Sequence, residues 1–117
     1  MCISVLGVQY TLEYRTKAQE PEFEAADCDG YCDTSIKLCV ARKYTAAERR
    51  EPGTKKDLDA YMRKCMRHEI VHAFLYESGL SINSVAADGW ASNEEMVDWM
   101  AIQGPKIYAA WQRAGCL

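Results

Sequence analysis

The sequence predicts an α+β fold: a small antiparallel sheet packed on one long helix and a C-terminal helical segment. Three observations lead there. Residues 3–13 and 36–40 are rich in β-branched, aromatic and other apolar side chains with imperfect alternation, the period-two signal of half-buried strands. Leu58, Tyr61, Met62, Cys65, Met66, Glu69, His72, Ala73 and Tyr76 recur at helical spacing, a stripe that faces a core. Strands come first and helices after, the order of segregated layers. At 117 residues and 49% apolar content, the chain suits one domain over residues 1–117 with a single modest core.

Each element has its own local signals. Between the strands, residues 17–34 are acid-rich, with Glu20, Glu22, Glu24, Asp27, Asp29 and Asp33 around Pro21 and Gly30. This reads as a long loop or irregular connection with room for a third short strand. Pro52-Gly53 marks a break. Thr54-Lys55-Lys56-Asp57 then has the form of a capping box with Thr54 as N-cap, opening a helix that runs to about Ser78 and stops at Gly79. Residues 79–91 connect, with Asn83, Asp88 and Gly89 as turn formers. Ser92 and Glu95 form a second capping box. Its helix is expected to break at Gly104-Pro105 and resume over residues 106–113, with Trp111 packing inward.

Composition narrows the partners. A formal charge of −3 and a pI near 5.4 provide no basic field for nucleic acid. The runs Glu48-Arg49-Arg50-Glu51 and Arg63-Lys64 read as solvated surface. No apolar stretch approaches the ~20 residues of a membrane span. The N-terminus lacks a basic region and a small-residue cleavage site, so a cytoplasmic location is expected. Six cysteines are then expected as thiols. Cys28-x3-Cys32 with Cys39 is too loose a spacing, without an obvious fourth ligand, to favour a structural metal site.

The chemistry concentrates in His68-Glu69-Ile70-Val71-His72, which uses both histidines of the chain. On a helix these lie on one face with Cβ atoms roughly 5–6 Å apart, and two imidazoles so placed can bind one Zn²⁺. Glu69, one step round the helix, can act as a base toward a water beside the metal. A catalytic zinc takes three protein ligands. With no third histidine, the remaining ligand must be a carboxylate or thiolate. Glu94, 22 residues after His72 in the first turn of the next helix, is the best candidate, with Glu95 and Asp98 as alternatives. Asp98, one turn beyond Glu94, is placed to accept the free ring N–H of a metal-bound histidine.

His68-Glu69-x-x-His72 followed by Asn93-Glu94-x-x-x-Asp98 resembles the gluzincin signature of thermolysin-like metallopeptidases. The resemblance covers residues 68–98. It implies a minimal zincin-like domain, Zn²⁺ on His68, His72 and Glu94, Glu69 as general base, Asp98 as the partner of His68, and a peptide or protein substrate. The small size is similar to the short single-domain gluzincins of phages and mobile elements, and to related domains that act on repressors. The resemblance also implies that the strand at residues 36–41 lies at the cleft edge, where an extended substrate could pair with it. One departure stands out. Larger members use a histidine and a tyrosine on the oxyanion, and no histidine is left here. Tyr76, Tyr108 and Tyr31 are the candidates. The competing readings are a catalytically weak or latent zinc-binding regulatory module, and a latent enzyme whose tail, Gly115-Cys116-Leu117, brings Cys116 to the open zinc position.

Overall fold

The computed structural model describes residues 1–82 and 90–114. It is an α+β domain with a four-stranded sheet. The elements are β1 (Cys2–Val5), β2 (Val8–Arg15), α1 (Glu22–Ala25), β3 (Gly30–Asp33), β4 (Leu38–Arg42), α2 (Ala46–Arg49), α3 (Leu58–Glu77), a single 3₁₀ turn (Trp90–Ser92) and α4 (Glu94–Ala114). The tail at 115–117, with Cys116, and the turn formers Asn83, Asp88 and Gly89 lie outside the described residues, as does the side chain of Trp111.

The stretch expected as one strand is a hairpin. Leu6 and Gly7 both take positive φ, 49° and 87°, the two-residue turn whose twist matches the flanking strands. The strand order is β1-β2-β4-β3, and the sheet is mixed, not antiparallel. β1/β2 and β3/β4 are antiparallel, but β2 and β4 run parallel with Leu12 opposite Cys39. Parallel pairing needs a long connection, and the acid-rich segment supplies it by carrying α1 and β3.

β4 is therefore interior. Leu38 to Ala41 are all buried, because the two sheet faces are both covered. On one face Tyr10, Leu12, Cys39 and Ala41 pack with Cys65, Met66 and Ala73 of α3. On the other, Leu38 and Val40 pack with Phe23 of α1. The expectation that residues 36–41 form the cleft edge is corrected: β4 is interior and β3 is the edge strand beside it.

Both helix starts are displaced from their expected caps. The capping box that forms is Thr45 with Glu48, at α2. Thr54 instead donates its hydroxyl to the Glu48 carbonyl, and Asp57 caps α3 by accepting the Ala60 N–H at 2.9 Å. At α4, Asn93 rather than Ser92 accepts the Met96 N–H, at 3.0 Å. Gly79 takes φ 81°, as expected of the α3 stop.

The expected break at Gly104-Pro105 does not occur, and α4 is continuous to Ala114. A proline inside a helix costs about 3 kcal/mol, partly because the carbonyl four residues back loses its donor. Here that carbonyl belongs to Ala101, and Nε–H of Arg67 on α3 donates to it at 2.7 Å. A neighbouring helix thus supplies the donor that Pro105 lacks. Among the described residues, no helix is long and apolar enough to cross a membrane.

Candidate metal centre

α3 and α4 lie side by side and antiparallel, as their contacts show. Glu94 meets His68 and His72, Asp98 meets His68 and Lys64, and Ala101 meets Arg67. The first two rungs bring His68, His72, Glu94 and Asp98 together. Nε2 of His68 is 2.8 Å from Glu94 Oε2 and 3.1 Å from Nε2 of His72, which is 3.2 Å from Glu94 Oε1. Ligand atoms held 2.0–2.1 Å from a tetrahedral zinc lie about 3.3 Å from one another. The three side chains therefore have the spacing of a ligand set, and they are the one such group among the described residues.

Nδ1 of His68 lies 3.2 Å from Asp98 Oδ1. A carboxylate only accepts, so in the neutral tautomer that makes this bond Nδ1 carries the proton and Nε2 has the lone pair. Nε2 faces the Glu94 carboxylate and Nε2 of His72, and in that tautomer the three atoms could hold a divalent cation. Burial holds His72 below the ordinary imidazole range against the opposing pull of Glu94, keeping it neutral and able to ligate. Burial pushes the Asp98 carboxyl up, but hydrogen bonds from Lys64 and His68 outweigh it and hold it low. Asp98 is thus an anion that orients the imidazole.

Glu69 differs from Glu94 in every respect. It is 7% exposed, whereas the Glu94 side chain is 70% exposed. Burial first, and the Glu94 carboxylate second, push the Glu69 carboxyl up to about 8, with Lys64 opposing. Its head lies against Gly30 of β3. A Cβ built there would stand 2.7 Å from Glu69 Oε1 and 3.0 Å from the Val40 carbonyl. Gly30, read from the sequence only as a turn residue, is thus required by close approach.

These groups line a cleft of about 740 Å³ between α3 and the edge strand, with Gly30, Cys32, Tyr61, Lys64 and Tyr76 among its walls. Lys64 was not anticipated. Its signal was its position, four residues before His68 and thus on the ligand face. Of the three tyrosines considered for the oxyanion, Tyr108 does not line the cleft. Tyr31 does, but its hydroxyl donates to Glu20 at 2.8 Å. Tyr76 lines the cleft, with Lys37 over its ring at 5.1 Å. Glu95 is not part of the ligand cluster.

The cysteines are free thiols among the described residues. Sγ of Cys39 lies 3.6 Å from both Cys32 Sγ and the Glu69 carbonyl, with one thiol proton to share between them, so it links the sheet to α3.

No family model matches the chain, and neither a curated protein nor a solved structure matches it.

Proposed function

We propose that the protein is a zinc-dependent peptide hydrolase of gluzincin type, a minimal zincin-like domain with His68, His72 and Glu94 as ligands and Glu69 as general base. The observation that carries this reading is the convergence of three ligand atoms at 2.8–3.2 Å, with a buried carboxylate on the same helix beside them. Structural zinc sites take four protein ligands, and catalytic ones keep a position open. Three ligands among the described residues favour hydrolysis over a purely structural site.

Zinc, when bound, supplies a Lewis acid that polarises the peptide carbonyl and lowers the pKa of water toward ~7. The protein's own groups do the rest. Glu69 accepts the proton of the attacking water and passes it to the leaving amine. Its raised pKa suits both halves of that transfer. Asp98 keeps the His68 proton on Nδ1. Of Tyr76, Tyr31 and Tyr108, we assign the oxyanion to Tyr76, which lines the cleft, whereas the Tyr31 hydroxyl is taken by Glu20.

The edge strand provides a docking line for an extended peptide. Arg42 N–H donates to the Asp29 carbonyl at 2.8 Å, which makes Asp29/Arg42 a hydrogen-bonded pair. Pairs alternate along an antiparallel ladder, so the backbone groups of Gly30 and Cys32 point away from β4 and toward a further strand.

Metal analysis of the purified chain tests the reading, paired with hydrolysis of an unfolded protein such as casein. The expected result is one zinc per chain, lost in His72→Ala together with hydrolysis. A chain that takes no zinc when it is supplied removes the proposal.

A further inference from the structure

We infer that Arg67 is a positioning residue of the metal centre. It takes the backbone carbonyl that Pro105 leaves without a donor, and so holds α4 in the axial register that brings Glu94 and Asp98 onto His68 and His72. This rests on the reading of that cluster as a metal site.

The stripe of α4 facing α3 is Glu94, Val97, Asp98 and Ala101, spaced three and four apart. Val97 and Ala101 are 0% and 1% exposed. Small apolar groups such as these pack closely but lock poorly along the axis. Each residue of slip moves a helix by about 1.5 Å, enough to carry a carboxylate out of a 2.8 Å contact. The side-chain contacts of the upper rungs do not prevent slip by themselves. The Glu94 side chain is largely exposed, so its contact restrains the axis only weakly.

The Arg67 bond is different in kind. Among the described residues it is the one hydrogen bond from α3 to the backbone of α4. A backbone carbonyl is fixed to the helix axis and moves with it. Donor and acceptor are also matched uniquely. In an unbroken helix every interior carbonyl is already taken by its own N–H, and Pro105 frees the one at Ala101. Only one register therefore gives the Arg67 guanidinium an unpaired carbonyl. Arg67 adjoins His68 in the chain, so the same turn of α3 that carries a ligand also reads the register of the helix that carries the third.

The test is a double-mutant cycle on zinc affinity, measured by competition with a chromogenic chelator, using wild type, R67M, P105A and R67M/P105A. R67M should weaken zinc binding by about 10-fold or more, the range of groups that orient ligands. R67K, which keeps a donor, should recover part of the loss. P105A restores a backbone N–H for Ala101, so in that background R67M should cost less than about twofold, as expected when coupled residues lose their shared interaction. Unchanged zinc affinity in R67M, or the same loss in both backgrounds, overturns the positioning role. Denaturation midpoints of the same four metal-free proteins separate this outcome from failure of the site itself. A wild type that takes no zinc refutes the metal reading. The pairing is then judged on the midpoints: an unequal cost of R67M in the two backgrounds upholds it, and an equal cost overturns it.

Discussion

One face of α3 carries Tyr61, Cys65, Met66, Ile70 and Ala73 into the sheet. The face toward α4 carries Lys64, Arg67, His68 and His72. The first is mainly an apolar core, with Tyr61 and Cys65 reaching its margin at the cleft wall. The second buries or half-buries positive and titratable groups, and meets carboxylates and a bare carbonyl on the partner helix. Removing apolar area from water stabilises the first face without regard to direction. The second gains only where each group finds its partner. Glu69 sits between the two: it lies on the buried side of the helix, yet its carboxylate opens into the cleft. A helix can thus keep its stability and its chemistry on separate stripes, with one residue at the seam belonging to both.

The largest expected effect tests that separation directly. Glu69→Gln should lower hydrolysis by about 10²–10⁴-fold, the usual contribution of a general base, with zinc stoichiometry unchanged by metal analysis. Full activity in this variant would take the base assignment away from Glu69. On the opposite stripe, Met66→Ala should lower unfolding free energy by about 2–5 kcal/mol, because Met66 is 5% exposed within the core. Denaturant unfolding reads that loss, while turnover of the zinc-loaded variant, assayed where it is still folded, should be near normal. A turnover loss as large as that of Glu69→Gln would mean that the stripes are not separable.

Gly30→Ala probes the seam from the sheet side. The added methyl must displace the Glu69 carboxylate, 2.7 Å from its position. Turnover should fall by up to about 10²-fold, as misplacement of a reacting group does, while zinc affinity stays within error. Normal turnover would show that Glu69 does not work from this position. The smallest effect concerns Glu20, 6% exposed and not among the residues that line the cleft. Hydrogen bonds from Tyr31, Arg15 and the Glu22 backbone hold its carboxyl below the ordinary range. Its contribution is complete above that range and is lost as pH falls through the folded-state value. The stability gap between wild type and Glu20→Gln should therefore narrow on acidification, followed by denaturation midpoints. A gap that stays constant with pH would remove Glu20 as an ionic anchor.

What was legible in the sequence were the local and periodic features. The stripe of α3, its stop at Gly79, and the i,i+4 histidines all follow from helical geometry acting over a few residues. Glu94 and Asp98 were found because they too are one turn apart, in the first turns of a helix with a recognisable start. What escaped depends on contacts between distant segments. Nothing local to residues 8–15 and 38–42 declares that they pair in parallel. The clash that makes Gly30 necessary involves a carboxylate 39 residues further along the chain. Pro105 was expected to end a helix by the ordinary rule, and that rule was overridden by a guanidinium on another element. The Thr45 capping box is a different case: Thr45-x-x-Glu48 and Thr54-x-x-Asp57 have the same local pattern, and only the contacts each threonine makes in the fold distinguish them.

The carbonyl of Ala101 also bears on assembly. Taken alone, residues 94–114 would form a helix with a fault in its middle, and short isolated helices on either side of such a fault are marginal in water. Arg67 of α3 supplies the missing donor, so α4 is expected to be completed by docking on α3. If the cluster is a metal site, the metal-free chain should already show its full helix content by circular dichroism; helix that forms only when zinc is added would overturn this order.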